Sequence, residues 1–576
     1  MTRPRYWIGV LGLGLMVPVA YSILLLPYLR AFHINTDDFA LILHSARQYH
    51  PDPGLWITRG FSSYFVNFPD LPQLHTDFCR PVVNATFWLE SLFSPGTGPL
   101  NLVTNLLGLA ISLVLFVALA RRETRSEPLL LSLLLMVYAF SPAWYEAFQS
   151  AASRGTVLMA LFALSAFLLL PPEDSSHPGL RITLSLVCQL ASLLSHETGI
   201  ITPVIAAILF VLRRDGTMAR PRLRMLPVFL LPLACFGALR WMFYGGVNRA
   251  YVLEPAQGWL RQGVVNTIVF FASAFFPWEP SSSWLGKLSI GVVAGALMNL
   301  TGYALVVYAL ARPGKAGRGP LLRVLLCLGA ALAVIWAAPG VRFMRLAAVF
   351  GILATVVAAE QAGEGTGPLK LRRRLGLAFA GLAVAQFLIF WTSLPQTLAG
   401  FSSVERQARA EFEGIRKAAA TASVPTLLLV NDEGVYATQA MLEMAAAPRG
   451  PLTRLITVNN FAGGASSQSS LKIARQGRAV RIEVVAGPGG EILFKNAIVS
   501  QLASRFVNQG LAYELEINHR YSRTARLLHH FGKSMGPDAS IGRSMAVTVP
   551  PEIAGDGLLI VGFDPKTMGW FSQPLR

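Results

Sequence analysis

Charge is scarce in this chain. Of its 576 residues only 14% are charged while 53% are hydrophobic. Ordinary soluble domains carry roughly 25% charge, so the first reading is a polytopic membrane protein. Acid is scarcer still: 31 Asp and Glu stand against 49 Lys and Arg, for a formal net charge of +18. That surplus does not point to nucleic acid. The basic residues cluster in short connectors between apolar runs, where they set membrane orientation and attract anionic head groups. Cysteine is nearly absent as well. Cys79, Cys188, Cys235 and Cys327 make no disulfide framework, because three of them lie in apolar runs, and no C-x-x-C or zinc spacing occurs. No internal repeat is apparent, which ranks a transporter or flippase built from repeated halves well below an enzyme.

Long hydrophobic runs are what the chain does have. A span needs roughly 20 apolar residues. Candidates lie near 7–29, 100–120, 128–144, 155–171, 180–195, 199–212, 225–244, 287–311, 322–338, 345–361 and 375–395. The first follows Arg3 and Arg5. It is too long for a signal-peptide core and lacks a small-x-small exit, so it reads as an uncleaved anchor with its N-terminus in the cytoplasm. The connectors with Arg121-Arg122, Arg213-Arg214 and Arg372-Arg373-Arg374, and the cluster Arg312, Lys315, Arg318 and Arg323, read as cytoplasmic. A crossing at 263–278 would put that last cluster outside, so this stretch, ending Phe275-Phe276-Pro277-Trp278, is expected to be an outer interfacial or re-entrant helix.

After about residue 396 the apolar runs shorten to strand length, at 426–430, 455–458, 480–485, 492–495, 513–517, 545–549 and 558–561. Turns such as Gly487-Pro488-Gly489-Gly490 separate several of them. The stretch 433–447 reads as a helix. The expected fold is an all-α polytopic membrane bundle of about 11 transmembrane helices over 1–395. It includes an outer loop at 30–99 and is followed by an extracytoplasmic, soluble α+β domain over 396–576.

The candidate functional residues all fall at the outer ends of these runs. Asp37 and Asp38 follow the first run, and Arg80 precedes the second. Glu146 and Arg154 bracket a short loop, and His196-Glu197 fills another. Arg240, Arg342 and Arg345 lie near further outer ends. Adjacent carboxylates at the mouth of a membrane bundle are costly to keep without a task. Bland alternatives stand beside each. Asn35 or Thr36 can cap a juxtamembrane helix whose first turn carries Asp37 and Asp38. Arg80 can snorkel to head groups. Glu146 and Arg154 can form a structural ion pair, His196-Glu197 a turn cap, and Arg342 and Arg345 interfacial anchors. His529-His530 reads as surface.

Five segments, taken in order, resemble the GT-C class of polytopic glycosyltransferases, closest to protein O-mannosyltransferases and their bacterial relatives. They are Asn35-Thr36-Asp37-Asp38, Arg80-Pro81-Val82-Val83-Asn84-Ala85-Thr86-Phe87, Asn101-Leu102-Val103-Thr104-Asn105-Leu106-Leu107, Glu146 through Arg154, and Leu194-Ser195-His196-Glu197-Thr198-Gly199. The last is similar to a Ser-Lys-Glu-Thr turn but carries His196 where the family has lysine. The resemblance covers roughly 30–395 and implies transfer, with inversion, of a sugar from a polyprenyl-phosphate or diphosphate donor to an acceptor hydroxyl. Asp37 or Asp38 would be the base; Arg80, Arg154, Arg240, Arg342 and Arg345 would meet the lipid phosphate. Glu146 or Glu197 would position a sugar hydroxyl or hold a divalent metal, which only some members use. Membrane lipids, a polyprenyl-linked donor and a glycan, lipid or protein acceptor are the partners implied, and a bacterial inner membrane the expected home.

Overall fold

The computed structural model of the chain describes residues 80–93, 100–124, 153–172, 175–212, 217–244, 290–312, 317–337 and 345–364, together with strands between 426 and 575. The expected spans at 7–29, 128–144 and 375–395 and the stretch at 263–278 lie outside the described residues. The chain divides into two compact units, with the described helices in one and the described strands in the other.

In the helical unit, α1 (Pro81–Phe93), α2 (Leu100–Glu123), α3 (Arg154–Leu169) and α4 (Pro178–Leu193) come first. Pro81 and Pro178 open their helices, where a missing N–H and a fixed φ suit the first turn. A 3₁₀ turn (Glu197–Ile200) leads into α5 (Ile201–Val211). The run expected as one span at 225–244 is instead interrupted. It holds α7 (Leu226–Phe229) and α8 (Leu231–Tyr244), preceded by the short α6 (Arg220–Leu223). Pro227 and Pro232 are the physical reason: neither can donate to the helical ladder, so each starts a helix rather than continuing one. The unit closes with α9 (Ile290–Ala311), α10 (Gly319–Ala337) and α11 (Arg345–Glu364). Helix α11 is buried on every face from Arg345 to Ala359 and packs against α9 and α10. Its Ala347, Ala348, Gly351, Ala354 and Ala358 let those neighbours approach closely.

Helix α4 is inside out. It packs on α3 with Ser185, Gln189 and Ser192 fully buried, while Leu180, Leu184 and Val187 are exposed. Ser185 Oγ donates to the Ala166 carbonyl at 2.8 Å and Ser192 Oγ to the Met159 carbonyl at 3.1 Å. The two contacts, seven residues apart on each helix, fix an antiparallel pair. A soluble helix would turn the leucines in and the serines out.

Two polar layers cap the helices at opposite ends. At one, Arg154 meets Asn105 near the start of α2. At the other, Glu123 at the end of α2 takes Arg323 Nη1 at 2.7 Å. Asn105 and Glu123 lie about 27 Å apart along α2 at 1.5 Å per residue. In the second layer arginines satisfy the orphan carbonyls of helix C-termini. Arg323 Nη2 donates to Leu209, Arg222 Nη1 to Phe210, Arg122 Nη1 to Phe167, and Arg181 to Leu168 and Leu169. Among the described residues one helix segment, Val103–Glu123, is by itself long and apolar enough to cross a membrane.

The second unit holds twelve described strands. A six-stranded sheet runs β12-β11-β1-β2-β6-β7, with β6 at Ile498–Leu502 and β7 at Arg505–Val507; a four-stranded one runs β3-β4-β10-β8, with β8 at Glu514–Asn518; and β5 (Ile492–Lys495) pairs β9 (Ala539–Gly542). Strand β1 (Thr426–Asp432) lies parallel to β2 (Arg454–Asn459) and β11 (Leu558–Asp564). Its unbroken Leu427-Leu428-Leu429-Val430 run suits a central strand with both faces covered. The antiparallel edge strand β12 (Gly569–Leu575) accommodates Pro574, which cannot donate to a ladder. In the four-stranded sheet β4 (Ala479–Val485) is flanked by β3 (Ser470–Gln476) and β10 (Ser544–Val549), and Lys472 stands opposite Glu483 in register. The expected helix at 433–447 lies outside the described residues.

Candidate functional site

The first polar layer is built from helix starts. Arg80, just before α1, grips the Glu197 carboxylate with two nitrogens, Nη2 at 2.8 Å and Nε at 3.0 Å from Oε2. Both side chains are largely buried. The backbone follows the same seam, Val82 N–H donating to the Leu194 carbonyl at 3.3 Å. Glu197 opens the 3₁₀ turn, and His196 caps that turn: the Thr198 amide donates to His196 Nδ1 at 3.2 Å, and the Thr198 hydroxyl sits 2.9 Å from the same atom. An amide can only donate, so Nδ1 is the acceptor in this cap. His196 thus serves as the cap of the turn that presents Glu197 to Arg80.

Arg154, the first residue of α3 and only 1% exposed, joins three helices. Its Nε donates to Asn105 Oδ1 of α2 at 2.9 Å and its Nη1 to Thr86 Oγ1 of α1 at 3.2 Å. Nη1 also lies 2.9 Å from Glu90 Oε2, and the guanidinium stacks 4.2 Å over the Phe87 ring. Thr86 passes its own proton to the Val83 carbonyl at 2.7 Å. The planar fork of arginine is what allows these partners to be met at once. Glu90 stands outside the expected site, and Asn105 and Thr86 fall within segments that carry the resemblance without an expected role of their own. Their signal was present: an acid on the Val83–Phe87 face of an apolar helix, and an asparagine within an apolar run.

Arg345, fully buried, donates through Nη1 to Thr156 Oγ1 on α3, and Thr156 donates to the Ser153 carbonyl at 2.8 Å. Close backbone approach makes this possible. A Cβ on Gly155 would come within 2.9 Å of the Ser195 carbonyl oxygen, and one on Gly199 within 2.6 Å of the Ser192 oxygen. Arg240 is buried over the Phe236 ring at 5.8 Å, and Phe236 packs with Leu193 at the end of α4.

Arg80, Arg154, His196, Glu197 and Arg345 therefore share one end of the helical unit, and Arg240 joins it one turn beyond Phe236. Asp37, Asp38, Glu146 and Arg342 lie outside the described residues. Among the described residues of this layer, the four guanidiniums of Arg80, Arg154, Arg240 and Arg345 face two carboxylates, Glu90 and Glu197. Glu90 and Glu197 serve different arginines, and among the described residues no three His, Cys, Asp or Glu converge to hold a metal ion. Guanidinium is the group that pairs with carboxylate and phosphate oxygens through two parallel hydrogen bonds. No protein-family model matches the chain, and no curated protein matches it.

Proposed function

We propose that the chain is a membrane glycosyltransferase of the GT-C type that moves a sugar from a polyprenyl-phosphate or diphosphate donor to an acceptor hydroxyl at the extracytoplasmic face, with inversion. The observation that carries this reading is the convergence of four buried guanidiniums, Arg80 just before α1 and Arg154, Arg240 and Arg345 on α3, α8 and α11, on one end of the helices. Arginine binds phosphate oxygens in pairs and stabilises the charge that develops as a phosphate departs. Held by Glu197, by Glu90, Asn105 and Thr86, and by Thr156, the guanidiniums of Arg80, Arg154 and Arg345 are fixed in advance of the reaction, which is the condition for electrostatic stabilisation. Asp37 or Asp38 supplies the base that takes the acceptor proton as its oxygen attacks the anomeric carbon and the lipid phosphate leaves.

The inside-out α4 and exposed apolar stripes such as Leu107 and Ile111 on α2 or Leu322 and Leu326 on α10 support a membrane setting. The spacing of about 27 Å between polar layers along α2 also approaches the hydrocarbon thickness of roughly 30 Å. In this reading about 11 spans cross an inner membrane, the arginine-rich second layer faces the cytoplasm, and the site and the strand unit face out.

One observation favours a second reading, a non-catalytic anchor for the outer unit: Arg80 and Arg154 already hold carboxylate partners. Reconstituted full-length chain, offered a panel of polyprenyl-phosphate hexoses and pentoses with membrane and periplasmic acceptors, separates the two. Product is expected from the native chain and is expected to vanish in an Asp37→Asn/Asp38→Asn variant that keeps its unfolding midpoint. Unchanged transfer in that variant removes both acids as the base. No transfer from any donor favours the anchor.

A further inference from the structure

We infer that the basic end of the helical unit carries a site for an anionic phospholipid, its phosphate on Arg224 and its acyl chain along Leu226, Leu230 and Leu231; this rests on the membrane reading above. The arginines of this end differ in how they are engaged. Arg323 is held by Glu123 and the Leu209 carbonyl, Arg222 by the Phe210 carbonyl and ring, Arg181 by two carbonyls of α3, and Arg122 by Glu123 and Phe167. Arg224 and Arg318 are exposed and hold no hydrogen bond or ion pair among the described residues. Arg224 directly precedes α7. From it an apolar strip climbs toward the opposite layer: Leu226, Leu230 and Leu231 are all exposed, 36%, 58% and 54%. The breaks at Met225 and Leu230, imposed by Pro227 and Pro232, turn these side chains outward in sequence instead of burying every third or fourth one.

Helix α8 packs on α4, whose own exposed Leu180, Leu184 and Val187 rise beside Arg181. Two neighbouring apolar strips thus end at the arginine-rich layer. A free phosphate or a soluble anion would use the cation and leave the leucines bare. A zwitterionic lipid would use the leucines and offer the cation no net charge. A lipid with a net negative phosphodiester head group satisfies both, and basic sites beside apolar helix faces on the cytoplasmic side are where such lipids are held.

The test counts phosphatidylglycerol retained by the detergent-solubilised full chain in native mass spectrometry, after exchange into mixed phosphatidylcholine and phosphatidylglycerol micelles. Arg224→Gln is expected to weaken phosphatidylglycerol retention roughly fivefold, the equivalent of one arginine contact at about 1 kcal/mol. Leu226→Ser/Leu230→Ser is expected to weaken it similarly. Arg318→Gln and phosphatidylcholine retention should be unchanged. An equal loss in Arg318→Gln overturns the proposal in favour of a diffuse basic belt, and full retention in Arg224→Gln overturns it outright. Glycerol phosphate competing as well as the lipid would reassign the site to a soluble anion. Alkaline-carbonate extraction keeps the two readings apart. A chain released from membranes ends the membrane reading, whereas a chain that stays embedded and ignores Arg224→Gln ends this site alone.

Discussion

At the residue scale, the polar layer depends on pairs that are costly to break singly. Removing Glu90 leaves the Arg154 guanidinium, 1% exposed, without its carboxylate. Breaking a buried pair from one side typically costs about 3–5 kcal/mol, while replacing both partners with apolar groups costs far less. Glu90→Ala should therefore lower stability by about 3 kcal/mol or more, and Glu90→Ala/Arg154→Met should recover much of that loss in denaturant unfolding of the solubilised chain. The same double variant should be inactive in sugar transfer, since a refolded layer without the Arg154 fork still lacks a phosphate contact. His196 gives a different prediction. Its Nδ1 accepts the Thr198 amide as a turn cap, so His196→Ala should cost about 1 kcal/mol and His196→Asn, which keeps an acceptor, much less. Equal losses in both would show that the ring matters for something other than the cap.

At the element scale, close backbone approach decides which glycines can change. Gly199 leaves 2.6 Å between a hypothetical Cβ and the Ser192 carbonyl oxygen, which belongs to backbone and cannot swing away. Gly199→Ala should lower stability by about 1–3 kcal/mol through overpacking. Gly179, in the first turn of α4, has nothing within 4 Å, so Gly179→Ala should be neutral or slightly stabilising. Thermal unfolding of the two variants side by side checks this. Most helices were legible in the sequence to within a few residues, as with 155–171 against Arg154–Leu169 and 345–361 against Arg345–Glu364. Periodicity and length carry that signal when the apolar run is uninterrupted. The run at 225–244 misled because hydropathy counts leucine and proline side chains and not the ladder hydrogen bonds that proline lacks. Strands β3 (Ser470–Gln476), β6 (Ile498–Leu502), β7 (Arg505–Val507), β9 (Ala539–Gly542) and β12 were missed. They mix polar with apolar residues, and what makes them strands is the partner each pairs with rather than a run of their own.

At the scale of the whole molecule, the proposed orientation makes one demand on everything else. Protease added to spheroplasts should remove the unit after residue 396, and protease added to inverted vesicles should leave it intact; the reverse pattern sinks the site along with the topology. Composition and charge distribution already determined that long apolar helices alternate with arginine-bearing connectors, because helix period and charge placement are local properties of the chain. The arginines themselves were visible too, standing at the ends of apolar runs. Their partners were not. Glu90 and Asn105 belong to helices far along the chain from Arg154, and Glu197 to a turn remote from Arg80. Packing of α3 against α2 and α1 brings Arg154 to Asn105 and Glu90, and the seam between the start of α1 and the turn after α4 brings Arg80 to Glu197. Sequence sets which groups must be paired once water is excluded; folding alone decides with whom, since a buried guanidinium is tolerated only where the fold has delivered acceptors to meet it.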